Sequence, residues 1–339
     1  MASHASAACI RRCRYFRANR MMQTLATDIR NVVCCCIAFG AALSVQAQQA
    51  TVFSFLRYNQ TARVAAMGGA GTALLDEPGS LFQNPAAIRT MQERSITATF
   101  MKHVLDINSG VLGYVDHIEG IGTIGIGIIG TSFGTFERST TTGDRMGTFG
   151  ASDVALGVSY ANSVDSNITY GVTLKFISST LDDMQSTGVA VDAGVHYRLP
   201  DKRSNVGLSI MHLGTQLSTY DGTRDRLPVD VRLGINHRLR GLPLLMNVSL
   251  NHLADDANDL AARFLSFSVG GELYLGKYIQ LRAGYDNGSR NLSGVNVATQ
   301  LSGLSFGVGI ITSFVTLDYA LSSLGTAASI HRASIRIRP

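Results

Sequence analysis

The stretch DVALGVSYA, Asp153 to Ala161, decides the fold class. In an extended chain successive side chains point to opposite faces. Val154, Leu156, Val158 and Tyr160 therefore share one face, and Asp153, Ala155, Gly157 and Ser159 share the other. The same period of two returns in PVDVRLGINHRL, residues 228 to 239, where Val229, Val231, Leu233 and Ile235 oppose Asp230, Arg232, Gly234, Asn236 and Arg238. It returns again in GLSFGVGI, residues 303 to 310, where Leu304, Phe306, Val308 and Ile310 oppose Ser305, Gly307 and Gly309. One face is apolar and the other is small, polar or charged.

A soluble sandwich alternates too, so the connections have to discriminate. Fourteen such stretches run from residue 95 to 337, an even number. Tight gaps (NSVDSN, LPDKRS, RGLP, GKY and Thr312 alone) alternate with long ones (SFGTFERSTTTGDRMGTFG, STLDDMQST, LGTQLSTYDGTRDRLP and DNGSRNLSGVNVATQ). Short turns at one rim and long loops at the other belong to an all-β, 14-stranded antiparallel transmembrane barrel of the outer-membrane kind, occupying residues 95 to 339. The apolar face then meets lipid. The lumen receives Asp192, His196, Arg198, Arg232, Arg238, Arg282, Asp318, Arg332 and Arg336. With no Trp in the chain, an aromatic girdle has to rest on residues such as Tyr160, Tyr197, Tyr285 and Tyr319.

Residues 1 to 47 read as a secretory signal peptide. Six arginines precede the apolar run VVCCCIAFGAALSV, which ends in small residues suited to cleavage after Ala47. The pair Met21 and Met22 offers a start that leaves a basic region of ordinary length. Beyond Ala47 there remain 23 cationic and 23 acidic side chains, so the basic character belongs to the leader and nucleic-acid binding loses its support. All five cysteines also precede Ala47. The mature chain holds by backbone pairing and packing, without disulfides. Cys34, Cys35 and Cys36 sit within the apolar run and not at its end, which argues against a lipid anchor.

Between leader and barrel lies TARVAAMGGAGTALLDEPGSLFQNPAAI, residues 61 to 88. A dinucleotide loop needs G-x-G-x-x-G, but Leu74 stands where the third glycine belongs, and no Gly-Lys-Ser/Thr follows for a P-loop. A fourteen-strand lumen is too wide for wall side chains alone to fill. Residues 48 to 94 are therefore expected to form an N-terminal plug, its small residues approaching the wall closely. Gly125 and Gly127 are candidate contact points, although curvature of the strand explains them equally well. Asn84-Pro85 should set a turn, because proline restricts the residue before it to extended geometry. His103, His196, His237 and His252 form no zinc pattern and no G-x-S-x-G is present. No catalytic, cofactor-binding or metal-binding residue is expected, and the chain is read as a non-enzyme.

The segment ARVAAMGGAGTALLDEPGSLFQNPAAI followed by fourteen strands resembles the family of fatty-acid-channel-like outer-membrane barrels. FSFL at 53 to 56 and GTFGASD at 147 to 153 resemble its PorQ branch, which belongs to the type IX secretion system. That resemblance implies an outer-membrane anchor for a cell-surface attachment complex. Its partner would be the surface protein PorZ, alongside PorU and PorV, in a complex that links secreted cargo to anionic lipopolysaccharide. The loops 132 to 150, 213 to 228 and 287 to 300, with Phe133, Phe136, Phe149 and Tyr220, are expected to supply apolar anchors for it. The alternative is a channel for hydrophobic small molecules. On either reading, mature protein beginning at Gln48 should fractionate with outer membranes and change its gel mobility on heating, because a closed barrel resists detergent. Recovery from the soluble periplasm would contradict a barrel.

Overall fold

The computed structural model describes residues 51 to 339 apart from 140, 141, 143, 256 to 262, 293 to 300, 326 and 327. The leader and the greater part of 287 to 300 lie outside the described residues. Fourteen strands form the wall: β1 (Ser95–Lys102), β2 (Asn108–Ile118), β3 (Gly122–Ser139), β4 (Arg145–Ser163), β5 (Ile168–Leu181), β6 (Met184–Arg198) and β7 (Ser204–Ser218), then β8 (Asp230–Arg238), β9 (Leu244–Leu250), β10 (Phe267–Leu275), β11 (Ile279–Asp286), β12 (Leu304–Ile311), β13 (Val315–Ser323) and β14 (Ser329–Ile337). Each pairs antiparallel with its neighbours in sequence. β1 closes on β14 from Ile96 opposite Ile337 to Lys102 opposite His331. Closure leaves no strand edge unpaired, which lets a sheet exist in hydrocarbon. Among the described residues no helix is long and apolar enough to cross a membrane.

The two faces separate as the alternation requires. Val154, Leu156, Val158 and Tyr160 point outward, while Asp153, Ala155 and Ser159 are buried within the ring. Asp192, His196, Arg232, Arg282, Asp318 and Arg332 are likewise buried inside. Arg198, Arg238 and Arg336 share the inward phase but stand at the short-turn mouth. Tyr160, Tyr197 and Tyr319 are exposed on the outer face as a girdle requires. Tyr285 is half-buried, and its hydroxyl donates to Asn287 at 2.9 Å.

The long-loop side differs from expectation. Most of residues 132 to 150 is strand, not loop, because β3 and β4 run 18 and 19 residues. β5 to β7 are also longer than β8 to β14. Since about 9 to 11 tilted residues cross a membrane, the surplus of β3 and β4 projects roughly 20 Å beyond it at ~3.3 Å per residue. The hairpin slips register between Ser132 and Thr135, where Gly134 takes a φ of 83°. Only glycine adopts that backbone cheaply, so the bulge is set there. A short helix, α2 (Asn287–Leu292), follows β11. Placing a charge on the outer face, Leu233→Arg near the middle of β8, should reduce stability in lipid by ~2 to 4 kcal/mol in a urea titration. Wild-type stability would show that the face assignment is inverted.

Candidate functional site

The N-terminal segment runs through the ring. It enters at the long-loop mouth, where Thr51 bridges to Arg226 and the Val52 N–H donates to the Arg226 carbonyl at 3.2 Å. A 3₁₀ turn, Ser54–Arg57, buries Phe55 and Leu56, and Arg57 donates to both Asp255 oxygens at 2.8 and 2.6 Å. Helix α1 (Ala62–Ala66) follows, capped by the Thr61 hydroxyl, which accepts from the Val64 N–H at 3.4 Å. Gly68 and Gly69, with φ of 66° and 84°, then turn the chain along the wall. It passes the short-turn mouth near Asp76, where Arg336 donates to the Asp76 carbonyl at 2.7 Å. Two further 3₁₀ turns, Pro78–Phe82 and Pro85–Thr90, lead to β1.

Close approach to wall glycines explains the small residues. A Cβ on Gly270 would stand 2.5 Å from the Met67 carbonyl oxygen, and one on Gly171 would stand 2.5 Å from the Pro85 carbonyl carbon. Gly127 faces Leu81 and Phe82, and Gly125 faces Ile88. Contact with the segment thus accounts for both glycines, where strand curvature was the other explanation. The same crowding holds at Gly234 on the inward face of β8. A Cβ there would lie 2.8 Å from the Thr72 Cβ and 3.0 Å from the Ala73 nitrogen. The lumen offers no free space at that point.

Asn84 is extended, as the following proline requires, and its side chain caps the next turn by accepting from the Ala86 N–H at 3.1 Å. Its amide donates to the carbonyls of Thr72 at 3.0 Å and Val195 at 3.3 Å, so one side chain ties two passes of the segment to β6. At β10, four strands along the ring, Arg63 of α1 donates twice to Glu272, at 2.8 Å each. Glu272 also accepts from Arg282 at 2.7 Å and from the Tyr274 hydroxyl, and Arg282 donates to Asp318 at 2.6 Å. A second group pairs Lys175 with Asp192 at 2.5 Å and Arg232 with Asp230 at 2.6 Å, while Arg232 donates to Gln83 at 2.9 Å. His212, which sequence pattern does not single out, donates its backbone N–H to Asp192 at 2.8 Å. His252 does the same to Asp230 at 2.7 Å. Among the described residues no group of His, Cys, Asp and Glu is arranged to hold a metal.

At the long-loop mouth the aromatic residues of separate loops meet. Phe133, Phe136, Phe149 and Tyr220 join Phe53 and Leu181 around a cavity of about 420 Å³. Phe136 and Phe149 stack with centroids 5.3 Å apart, and the Arg138 guanidinium lies 6.0 Å from the Phe149 ring centre. One end is polar: the Tyr220 hydroxyl donates to Ser179, and Ser179 donates to Asp153. Burial raises the Tyr220 pKa. Phe53 borders the cavity from the N-terminal segment with a φ of 60°, a costly backbone for a bulky residue. The site is a shallow, open cleft, mostly apolar and supplied with few polar groups, a lining suited to a small apolar molecule. Sequence reasoning named four of these aromatics as exposed anchors and missed both Phe53 and their convergence.

No protein-family model and no curated protein matches the chain. Solved structures do match it in fold. The Pseudomonas putida toluene transporter TodX is 12% identical with a TM-score of 0.57, over 85% of this chain and 99% of that one. The Ralstonia pickettii toluene transporter TbuX is 16% identical with a TM-score of 0.54, over 84% and 98%. A Pseudomonas aeruginosa FadL homologue is 12% identical with a TM-score of 0.51, over 82% and 98%. At such identities the likeness is one of fold alone, that of a closed antiparallel barrel. Replacing Glu272 by Gln should leave Arg63 and Arg282 short of a buried counter-charge and cost about 3 to 5 kcal/mol. A urea titration of the refolded barrel measures it, and an unchanged midpoint would deny the network any part in seating the segment.

Proposed function

We propose that this protein sits in the outer membrane with its long loops outward and takes up small hydrophobic molecules, and that it is not an enzyme. The observation that carries this reading is the aromatic cavity at the long-loop mouth, bordered by the N-terminal segment through Phe53. Its volume and apolar lining suit an aromatic or short aliphatic molecule with one polar group directed at Tyr220 and Asp153. Passage beyond the cavity requires movement of the N-terminal segment, and Phe53 is where an occupant would press on it. The named transporters of similar fold support a channel over an anchor. In the absence of Trp, binding can be followed through an added fluorophore without competing indole emission.

A second reading has its own observation. The overshooting β3–β4 hairpin exposes Phe136 and Met146 well above the membrane belt, and the segment lies interlocked with wall glycines. A filled barrel with a tall apolar-tipped hairpin suits an anchor of the PorQ kind, docking PorZ with PorU and PorV for attachment of cargo to lipopolysaccharide. The uptake reading expects Phe149→Asp to weaken binding of N-phenyl-1-naphthylamine by at least about tenfold, or 1.4 kcal/mol, with heat-modifiable mobility retained. Unchanged binding, together with loss of a co-purifying surface protein when residues 136 to 149 are replaced by a short Gly-Ser turn, would favour the anchor.

A further inference from the structure

The short-turn mouth holds a second cavity, of about 670 Å³, with a different chemistry. Its walls carry Arg198, Lys202, Arg203, Arg238, Arg336 and Arg338, against the two lining carboxylates Asp76 and Glu93. Elsewhere in the lumen most cations are matched: Arg63, which borders the same cavity, and Arg282 with Glu272, Arg232 with Asp230, Lys175 with Asp192; Arg332 instead donates to the Asn59 carbonyl and the Ser322 hydroxyl. None of the six mouth cations makes an ion pair among the described residues. Arg336 donates to a carbonyl, Arg338 to the Thr316 hydroxyl at 3.2 Å, and Arg238 lies 5.1 Å from the centre of the Tyr274 ring. The mature chain is close to neutral. The positive excess is therefore a matter of placement, and a concave low-dielectric wall focuses its field.

We propose that this vestibule is a docking site for an acidic peptide segment of a periplasmic partner. Three features of the geometry select that ligand. Arg336 lies in the last turn-side residues of β14 and Arg338 just beyond it, whereas Arg198, Lys202, Arg203 and Arg238 belong to β6, the following turn and β8, and β6 and β8 are each six strands from β14 in a ring of fourteen. A single phosphate cannot engage both walls, but an extended polyanion can. Arg198, Arg238 and Arg336 share the inward phase of their strands, so headgroups of lipids surrounding the barrel do not reach them. Leu75, Met91, Leu245 and Tyr274 line the same cavity and give apolar side chains between the acidic ones a surface to contact. Guanidinium forks suit carboxylates, which they bind with two parallel hydrogen bonds. The proposal rests on the short turns facing the periplasm and is independent of what the outer mouth binds.

The test is fluorescence anisotropy of a labelled eight-residue polyglutamate on the detergent-purified full barrel, with polylysine of the same length as control and inositol hexakisphosphate as the compact polyanion. Polyglutamate should bind more tightly than both, and its affinity should fall as salt is raised. Arg198→Glu with Arg336→Glu should weaken it at least tenfold, and so should the more exposed pair Lys202→Glu with Arg203→Glu. Heat-modifiable mobility verifies that each variant folds. Arg240→Glu with Lys277→Glu, on turns of the same rim but outside the cavity lining, should leave binding unchanged. Equal binding of polyglutamate and polylysine would overturn the proposal. So would tighter binding of inositol hexakisphosphate, which would make the site one for a small polyphosphate, or an equal loss in the Arg240 and Lys277 control.

Discussion

The structure depends on one steric constraint: a polypeptide backbone can lie directly against a β-strand only where the strand has no Cβ. Wall glycines on β5, β7, β8, β10 and β11 supply such places, and the N-terminal segment answers with the backbone of Met67, Thr72, Ala73 and Pro85. Each contact would be closed by a single methyl group. Because the sites are distributed around the ring, the segment is located by the wall as a whole. A barrel of this size can therefore have a packed interior even though its own side chains are too few to fill it.

That packing makes the buried charges tolerable. Glu272 is fully buried, where an unpaired carboxylate would be costly, yet Arg63 from the segment and Arg282 from the wall both reach it. Arg232 joins Asp230 on its own strand to Gln83 on the segment in the same way. Polar groups on the wall and on the segment complete one another, so neither surface is satisfied without its partner. The two mouths inherit their character from this arrangement. Phe53, at the start of the segment, borders the apolar outer cavity, and Leu75, Asp76 and Thr90 to Glu93, where the segment turns and leaves, line the cationic inner one.

The wall was legible in sequence because lipid and lumen impose opposite demands on alternate residues. Lipid allows only Val154, Leu156 and Val158 on one face, and the pattern persists as long as the membrane does. Beyond it both faces of β3 and β4 meet water, alternation fades into residues such as Ser139 and Thr148, and the strands read as loop. Contacts across the lumen left no local signal. Arg63 and Glu272 are 209 residues apart, and nothing near either announces the other. The glycine-rich stretch could be recognised as small and unsuited to phosphate, but nothing in it says which wall glycine each residue meets, as Thr72 meets Gly234. The aromatic residues of the outer loops were visible singly. Only the register slip beside Gly134 and the entry of Phe53 bring them into one cavity.

The account's central claim is that the N-terminal segment occupies the lumen by contact with the wall. Ion conductance of the purified protein in a planar lipid bilayer tests it most directly, comparing the full mature chain with one in which residues 52 to 91 are replaced by a short flexible linker. The full chain should show no steady conductance, and the shortened chain should open a constant aqueous pore, because the glycine-lined wall is then bare. Equal conductance of the two would contradict the account.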